Sequence, residues 1–387
     1  MLQTTQLLGT IGTKNIDSRD FKLTSNIPVR WDSPTKTALL TTLAGYLQED
    51  SISINDTSYY DAITLNNFLS YVLNDKRAAP RNYALDITFT EASEAGVSSG
   101  KSFYPESHAN CLIAFSGGVD STAGVLYALE KGWRVQPIWV GFGQKNEEQE
   151  RQIVEQISQA LHVNTWYITL NLQSFVDAGW QTWKSGIIPA RNYLFASFAA
   201  QLAAIAASSA VQIFICAHKE EITDVNTDKS PRFFQTCSTI FTQAYGKEIN
   251  VATPFMHITK PEIVNYWWRN WKDVYGIRPH DTVSCYQGNC CGVCKACINR
   301  AIAFSCAQVP LEDFQTNPFY DEQNIISQDY LQRFSTLDIS RKLDFLYALQ
   351  RNRAVLKQNI ISFLDEHSPK YAALLEQRMI EVGQCSL

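Results

Sequence analysis

The chain has 387 residues, of which 45% are hydrophobic and 12% aromatic, so it can bury a large core. This length predicts two or three domains. Its formal net charge of -5 argues against a broad nucleic-acid surface, so no direct nucleic-acid partner is expected. No apolar run reaches the roughly 18 residues of a membrane span, and residues 1–5 lack the charged, then apolar pattern of a secretion signal. These features predict a cytoplasmic protein with no membrane partner.

Residues 1–108 predict a small α+β domain. Apolar residues at helical spacing predict two amphipathic helices, near residues 35–47 and 59–73, and an apolar run predicts a strand at 83–89. Residues 91–107 are rich in Ser, Gly, Ala and Glu, a composition typical of a linker. A second domain is therefore expected to begin at residue 109.

A buried strand, a glycine turn and a helix start are predicted in succession from residue 111. The apolar run 111–115 is followed by Ser116-Gly117-Gly118-Val119-Asp120-Ser121-Thr122. Two glycines let the backbone approach a ligand, and the free N–H groups and the positive end of the helix dipole face an anion. No lysine follows the second glycine, so this is not the G-x-x-x-x-G-K-S/T loop. An ordinary glycine-rich strand–helix turn is the alternative.

Strands and helices alternate in the residues that follow. Strands are predicted at 135–140, 165–170 and 211–216, and helices at 146–161 and 192–208. Such alternation predicts an α/β fold with a doubly wound parallel sheet and ligand groups at the carboxyl ends of its strands. The aromatic cluster Tyr266-Trp267-Trp268 with Trp271 is interpreted as core rather than as a stacking platform.

Five of the ten cysteines fall within residues 285–297. Cys285, Cys291, Cys294 and Cys297 give the spacing C-x5-C-x2-C-x2-C, which predicts one tetrahedral zinc, with Gly292 permitting the tight turn. Four protein ligands leave no position for a catalytic water, so the zinc is interpreted as structural. Cys290 is a competing ligand, and an iron–sulfur cluster or buried free thiols are the alternatives to zinc.

From about residue 309 the chain predicts a helical C-terminal extension. Leucine, valine and isoleucine residues recur there with the spacing of helix faces that pack into a core. These residues are Leu343, Leu346, Leu349, Val355, Ile360 and Leu364. A simple packing extension is the alternative to a functional role. The predicted division is thus 1–108, 109–307 and 308–387.

The loop resembles the S-G-G-x-D-S-S/T signature of the PP-loop ATP pyrophosphatases, which cleave ATP between its α and β phosphates. Ile188-Pro189-Ala190-Arg191-Asn192 is similar to the V-P-G-R-N loop of the 7-cyano-7-deazaguanine synthases, the QueC family. Thr253-Pro254-Phe255 and Lys260-Pro261-Glu262-Ile263 are similar to its T-P-L and K-x-E-I segments, and the cysteines through Arg300 follow its order. The resemblance covers about residues 110–305 and implies a domain like the adenine-nucleotide α-hydrolase (HUP) fold.

The resemblance also implies ATP, Mg2+ and Zn2+ as cofactors. The residues implied to bind ATP are Ser116, Gly117, Gly118, Val119, Asp120, Ser121 and Thr122. Those implied to act in catalysis are Asp120, Ser121, Arg191 and Lys260, and those implied to bind the substrate are Arg191, Asn192, His218 and Arg232. Asp120 would orient the loop or hold magnesium. A surface salt bridge for Arg191, a plain helix start for Lys260 and a structural role for His218 are the alternatives.

Two segments depart from the family pattern. Ala217-His218-Lys219 and 228–233 stand where the family has G-V-N and S-G-Y-P-D-C-R, and only Pro231 and Arg232 are kept. Base recognition is therefore altered, or an acyl acceptor occupies part of this surface. The family's D-Y-G-Q is replaced by residues 141–144, so a carboxylate is missing at that rim.

The resemblance implies an ATP-dependent ligase that adenylates 7-carboxy-7-deazaguanine and passes the acyl group to a nitrogen nucleophile. The extra length resembles QueC-like proteins of bacterial anti-phage defence systems, so a protein N-terminal amine, on a co-encoded partner, is the expected acceptor. One alternative is a free-standing synthase that uses ammonia. A tRNA-modifying PP-loop enzyme and a non-catalytic ATP- and zinc-binding scaffold are others, and a homodimer stays open.

Overall fold

The computed structural model describes the chain from residue 109 with four gaps, together with separate elements before that residue. The described residues are 5–13, 16–25, 34–35, 37–39, 41–42, 51–55, 62–73, 86–90, 109–141, 146–171, 190–223, 226–285 and 290–387. The predicted linker 91–107, most of the predicted helix 35–47, residues 142–144, and Ile188 with Pro189 lie outside them.

The described strands alternate with helices through the middle of the chain. In chain order they are β1 (Thr5–Thr13), β2 (Ile16–Ser25), β3 (Ser51–Asn55), β4 (Asp86–Thr90), β5 (Cys111–Ala114), β6 (Val135–Gly141), β7 (Trp166–Asn171), β8 (Ala210–Phe214) and β9 (Glu248–Ala252). The strands predicted at 111–115, 135–140, 165–170 and 211–216 correspond to β5 to β8. The sequence reasoning did not single out β1, β2, β3 or β9.

Seven strands form one sheet in the order β1-β2-β7-β6-β5-β8-β9. The five neighbouring strands β7, β6, β5, β8 and β9 are parallel, which confirms the predicted doubly wound parallel sheet. At one edge β2 pairs antiparallel with β7, and β1 with β2, whereas β3 and β4 form a separate parallel pair. The strand order reverses between β5 and β8, and ligands of open α/β sheets bind at the carboxyl ends of strands beside such a reversal.

Helices cover both faces of the sheet and form the C-terminal region. In chain order the α-helices are α1 (Ala62–Leu73), α2 (Val119–Glu130), α3 (Glu147–Ala160), α4 (Arg191–Ile205), α5 (Pro231–Tyr245), α6 (Lys260–Tyr266), α7 (Lys272–Tyr275), α8 (Lys295–Cys306), α9 (Ile339–Arg351), α10 (Gln358–His367) and α11 (Ala372–Gln384). Helices α3 and α4 confirm the helices predicted at 146–161 and 192–208.

The strand β5 is apolar at nearly every position because both of its faces are buried. Cys111 and Ile113 join a core with residues of α2 and α3 on one face. Leu112 joins a core with residues of α4 and α5 on the other. Successive side chains of a strand point to opposite faces, so this arrangement needs a continuous apolar run.

Helix α1 packs on the second of these cores. The ring of Phe68 lies 5.3 Å from that of Tyr193 and 6.1 Å from that of Phe233, centre to centre. The N-terminal residues thus lengthen the sheet through β1 and β2 and cover α4 and α5 through α1.

The C-terminal region is helical, as predicted. Leu343, Leu346 and Leu349 of α9 are buried in one core with Ile360 and Leu364 of α10. Trp267 and Trp271 are buried in a neighbouring core with α2 and α8, which confirms the interpretation of these two aromatic residues as core. None of the described helices combines the length and apolar character that a bilayer span requires.

Candidate functional site

The nucleotide loop, defined as residues 116–122, joins β5 to α2 at the carboxyl edge of the sheet. Gly117 has a φ of 69°, in the left-handed region that glycine adopts at little cost. A Cβ at this position would lie 3.1 Å from Ile153 Cγ2 of α3. Backbone conformation and close packing therefore both favour glycine at 117.

Serine hydroxyls hold the loop in this shape. The Ser116 N–H donates to Ser121 Oγ at 3.2 Å, and Ser121 Oγ donates to the Gly118 carbonyl at 3.2 Å. Ser121 is buried and Ser116 is exposed at the rim. Ser121 thus shapes the loop, while the Ser116 hydroxyl can meet a ligand.

Two oxygens of the loop are buried without a hydrogen-bond partner among the described residues. They are Asp120 Oδ1 and Thr122 Oγ1. Buried polar atoms almost always have a partner, so Asp120 Oδ1, whose residue lines a cavity, fits a site that a ligand completes, whereas Thr122 is fully buried. A hydroxyl can donate to a phosphate oxygen, and a carboxylate oxygen can coordinate a magnesium ion.

A cavity of about 350 Å3, called here the nucleotide cavity, lies over the loop. Its described lining includes Ser116, Gly118, Val119, Asp120, Ser121, Arg191, Asn192, Glu221, Lys229, Lys260 and Asn299. Positive side chains thus face the helix N-terminus across the cavity, and both kinds of group attract an anion such as a polyphosphate.

Lys260 contacts the loop directly. Its Nζ lies 2.9 Å from Asp120 Oδ2. It opens α6, whose first turn is fixed by a capping box in which the Thr259 N–H donates to Glu262 Oε2 at 2.7 Å. Burial lowers the pKa of Lys260, but Asp120 and Glu221 outweigh burial and raise this pKa overall. Lys260 is therefore a protonated cation beside the loop.

His218 lies beyond the end of β8, where it is buried between two carboxylates. Its Nδ1 lies 2.6 Å from Glu220 Oε2, and its Nε2 lies 3.8 Å from Glu221 Oε2. Burial lowers the pKa of His218, but Glu221, Glu220 and Asp120 raise it above the ordinary value. Possible ligand atoms lie within 4.8 Å of one another on Asp120, His218 and Glu221, so this group fits a divalent cation. Such a cation would compete with Lys260 for the Asp120 carboxylate.

Arg191 and Asn192 open α4 and line the nucleotide cavity. Arg191 is exposed, and its guanidinium carbon lies 5.7 Å from the centre of the Phe195 ring. Asn192 is buried and donates from Nδ2 to the Asp228 carbonyl at 3.2 Å. Arg191 is therefore open to a ligand, whereas Asn192 ties the start of α4 to the segment 227–232.

Arg232 lies away from these groups and is not among the described residues that line the nucleotide cavity. Its guanidinium carbon lies 4.3 Å from the centre of the Tyr71 ring of α1. Tyr71 also donates from its hydroxyl to Ser230 Oγ at 2.7 Å, and Thr227 Oγ1 donates to the Val72 carbonyl at 2.8 Å. Helix α1 therefore covers the segment in which the sequence departs from the family pattern.

The sequence reasoning missed Glu221 and Lys229, an ion pair of 2.7 Å at the nucleotide cavity. Their only signal was the position of Glu221 three residues after His218, close to a strand end. It also missed Glu147, whose carboxyl carbon lies 2.7 Å from where a Cβ of Gly141 would stand. The Glu147 carboxyl of α3 thus fills the space that a side chain at 141 would need.

The four predicted zinc ligands lie together. The Sγ atoms of Cys285, Cys291, Cys294 and Cys297 all fall within 4.8 Å of one another. The pairs Cys291–Cys297 and Cys285–Cys294 are each 3.9 Å apart. Tetrahedral zinc with Zn–S bonds of about 2.3 Å requires sulfur separations of about 3.8 Å, so the set fits zinc. Cys290 is not part of this group.

The residues just before Cys285 connect the cysteine cluster with the nucleotide loop. The Val283 N–H donates to the Gly117 carbonyl at 2.9 Å, and Val283 and Ser284 line the nucleotide cavity. At the other side of the cluster Gly292 has a φ of 79°, and a Cβ there would lie 1.7 Å from the Thr316 carbonyl oxygen. The cluster thus anchors both a wall of the cavity and the beginning of the C-terminal region.

Comparison with known proteins gives one family. The family model described as queuosine biosynthesis protein QueC matches residues 110–308, about half of the chain. A 7-cyano-7-deazaguanine synthase of Acetivibrio thermocellus is 28% identical over 211 residues, which are 50% of this chain and 91% of that protein. The enzyme of the same name from Alcanivorax borkumensis is 29% identical over 220 residues, 51% of this chain and 95% of that protein.

One solved structure, described as a predicted subunit of a tRNA methyltransferase from Methanocaldococcus jannaschii, shows a weaker similarity. The match has 15% identity and a TM-score of 0.28 and covers 45% of this chain and 91% of that chain.

Proposed function

We propose that this chain, which belongs to the QueC family, is an ATP-dependent carbon–nitrogen ligase. It would adenylate a carboxylate and release pyrophosphate. The observation that carries the proposal is the Asp120–Lys260 ion pair at the nucleotide loop, 2.9 Å long and open to the nucleotide cavity. A loop that opens a helix, with an adjacent fixed cation, suits a phosphate group that gains charge as it leaves.

The residues of this chain would contribute mainly by holding charges in place. The N–H groups at the start of α2 and the Ser116 hydroxyl would bind the leaving pyrophosphate. Lys260 would neutralise charge near Asp120, and the exposed Arg191 would contact a phosphate or the substrate carboxylate. Mg2+, when bound at Asp120, would supply further charge neutralisation for the phosphates.

The carboxylate substrate is proposed to be 7-carboxy-7-deazaguanine. Support comes from the name of the matched relatives, 7-cyano-7-deazaguanine synthase. Asn192, Arg191 and His218 would bind it, of which the first two line the nucleotide cavity. Arg232 would bind the substrate only if the substrate reaches the surface beside Tyr71.

The acyl acceptor is proposed to be the N-terminal amine of a co-encoded protein, in an anti-phage defence system. What supports this is the share of the chain outside the family match: residues 1–109 and 309–387 build β1 to β4, α1 and the C-terminal helices. A macromolecular acceptor needs a surface of roughly 1,200–2,000 Å2, which a synthase acting on ammonia does not need.

The test supplies the enzyme with ATP, magnesium, 7-carboxy-7-deazaguanine and a neighbouring-gene protein, and reads AMP by chromatography and adducts by intact mass. The expected result is AMP together with one covalent deazaguanine acyl adduct on an amine. Release of ADP instead of AMP would overturn the adenylation. The second candidate is 7-cyano-7-deazaguanine synthase activity, after which the relatives are named. It would be favoured if the enzyme converts the acid to the nitrile with ammonia and forms no adduct.

A further inference from the structure

A second cavity, of about 280 Å3, lies between the QueC-type domain and the C-terminal helices. The segment after β8 and the helices α6 and α8 form one wall. Residues of the C-terminal region, among them Tyr330, Arg333 and Leu337, form the other. We call it the acceptor cavity. It exists only because the C-terminal region is present.

The acceptor cavity adjoins the nucleotide cavity. Glu221, Lys260 and Asn299 line both. Lys260 also contacts Asp120 of the nucleotide loop, so the two cavities are separated by about the width of one side chain. The Tyr330 hydroxyl donates to Asn299 Oδ1, so the C-terminal region directly contacts this shared wall.

Charged groups of both signs line the acceptor cavity, and three of its carboxylates have partners: Glu220 pairs with His218, Asp344 with Arg378 and Asp329 with Lys295. The side chains of Glu220 and Asp344 are buried, 10% and 3% exposed. The cations Lys295 and Arg333 are exposed. Carboxylates can accept hydrogen bonds from an ammonium group, and exposed Lys and Arg can donate to carbonyl oxygens. A peptide N-terminus carries an ammonium group and carbonyl oxygens close together, so it can use both kinds of partner.

Size and acidity point to the same ligand. Small-molecule pockets span about 300–1,000 Å3, so a cavity of about 280 Å3 suits the end of a chain and not a folded surface. An α-amine has a pKa of about 7.8 and a lysine side chain about 10.4, so near neutral pH the uncharged, nucleophilic fraction of the α-amine is about 400-fold larger.

Resting on the proposed function, we infer that the acceptor cavity receives the N-terminal amine of a peptide and brings it to the acyl adenylate through the wall formed by Glu221, Lys260 and Asn299. The amine nitrogen forms a bond to the acyl carbon, and the bond from that carbon to the adenylate oxygen breaks, so AMP leaves with the electron pair. The proton lost by the nitrogen passes to solvent.

The test compares a bulky nucleophile with a small one. The full-length enzyme is given ATP, magnesium and 7-carboxy-7-deazaguanine with either triglycinamide or hydroxylamine, and amide, hydroxamate and AMP are measured. Leu337→Trp narrows the acceptor cavity, and Arg333→Glu reverses a charge at its mouth. The matched controls are Ile339→Trp and Arg351→Glu, at exposed positions that are not part of the described lining.

Both cavity variants should lower amide formation with triglycinamide by about tenfold or more, corresponding to about 1.4 kcal/mol, and leave hydroxamate formation within about twofold. The controls should match the wild type with both nucleophiles. Unchanged amide formation in both cavity variants would overturn the inference, as would an equal loss of AMP formation, which would place the carboxylate substrate in this cavity. Absence of AMP from the wild type would overturn the proposed function and this inference with it.

Discussion

Asp120 is the residue on which the proposed chemistry depends most. Replacing it by alanine would remove the partner that lies 2.9 Å from Lys260 Nζ and would free this cation to move. AMP formation should fall by about a hundredfold or more, a loss typical of a charged group at a transition state. Because the Asp120 side chain is partly exposed, the thermal unfolding midpoint should change little.

Asp273→Ala is the matched control for Asp120, since its carboxylate is 80% exposed and pairs only with the neighbouring Lys272 among the described residues. That variant should keep the wild-type rate. An Asp120→Ala enzyme that retains half of the wild-type AMP formation would exclude a direct role for this carboxylate.

Ala190 adopts a backbone conformation that favours glycine. Its φ is 59°, and an L-residue in the left-handed region costs roughly 1–2 kcal/mol. The Ala190→Gly variant should therefore be more stable by up to about 1 kcal/mol, after the added entropy of the unfolded chain is subtracted. Denaturant unfolding measures the difference.

Ala372 supplies the comparison for Ala190, because it also begins a helix but has an ordinary φ of -52°. Ala372→Gly should lower the free energy of unfolding by about 0.5–1 kcal/mol. Equal destabilisation by both glycine substitutions would show that residue 190 is not strained.

At the scale of elements, the cysteine cluster determines the wall of the nucleotide cavity. Cys291→Ser should remove zinc from a protein that otherwise holds about one ion per chain, and should destabilise the domain because metal binding and folding are coupled. Elemental analysis of the purified protein measures the zinc.

The adjacent Cys290 is the matched control, because its thiol lies outside the four-sulfur group. Cys290→Ser should keep the full zinc content. Retention of zinc in Cys291→Ser together with its loss in Cys290→Ser would transfer the ligand role to Cys290.

At the scale of the whole molecule, Arg378 joins the last helix to the start of α6. Its guanidinium donates from Nε to Asp344 Oδ1 at 2.9 Å and from Nη2 to Thr259 Oγ1 at 2.6 Å, and Nη1 pairs with Glu262 at 2.5 Å. Thr259 and Glu262 are the capping-box residues that flank Lys260. The C-terminal helix thus braces the segment that places Lys260 beside Asp120.

Arg378→Met should lower the free energy of unfolding by about 3–5 kcal/mol, because it leaves buried carboxylates without their counter-charge. Denaturant unfolding measures the loss. Arg353→Met provides the control: the Arg353–Asp365 pair is about half exposed and screened by solvent, so its removal should change the free energy of unfolding far less. Similar effects of the two substitutions would refute the bracing role of Arg378.

The sequence by itself determined the elements whose causes are local. Apolar runs marked β5 and β6, which are buried on both faces, and alternating apolar residues marked β7 and β8. The glycines and hydroxyls of residues 116–122 marked an anion loop because backbone freedom and helix N-terminal N–H groups belong to that short segment. The spacing of Cys285, Cys291, Cys294 and Cys297 predicted the set that lies together, because four ligands in 13 residues leave few ways to surround one ion.

Only the tertiary structure decided which distant residues meet. The contact of Lys260 with Asp120 spans 140 positions of sequence, and the ion pair of Arg378 with Glu262 spans 116, so no local pattern can encode either. The antiparallel strands β1 and β2 and the cover that α1 provides over residues 227–232 were equally out of reach, because strand pairing and helix packing depend on the partner surface. The acceptor cavity was also out of reach, because its two walls come from regions that are distant in sequence and meet only in the folded molecule.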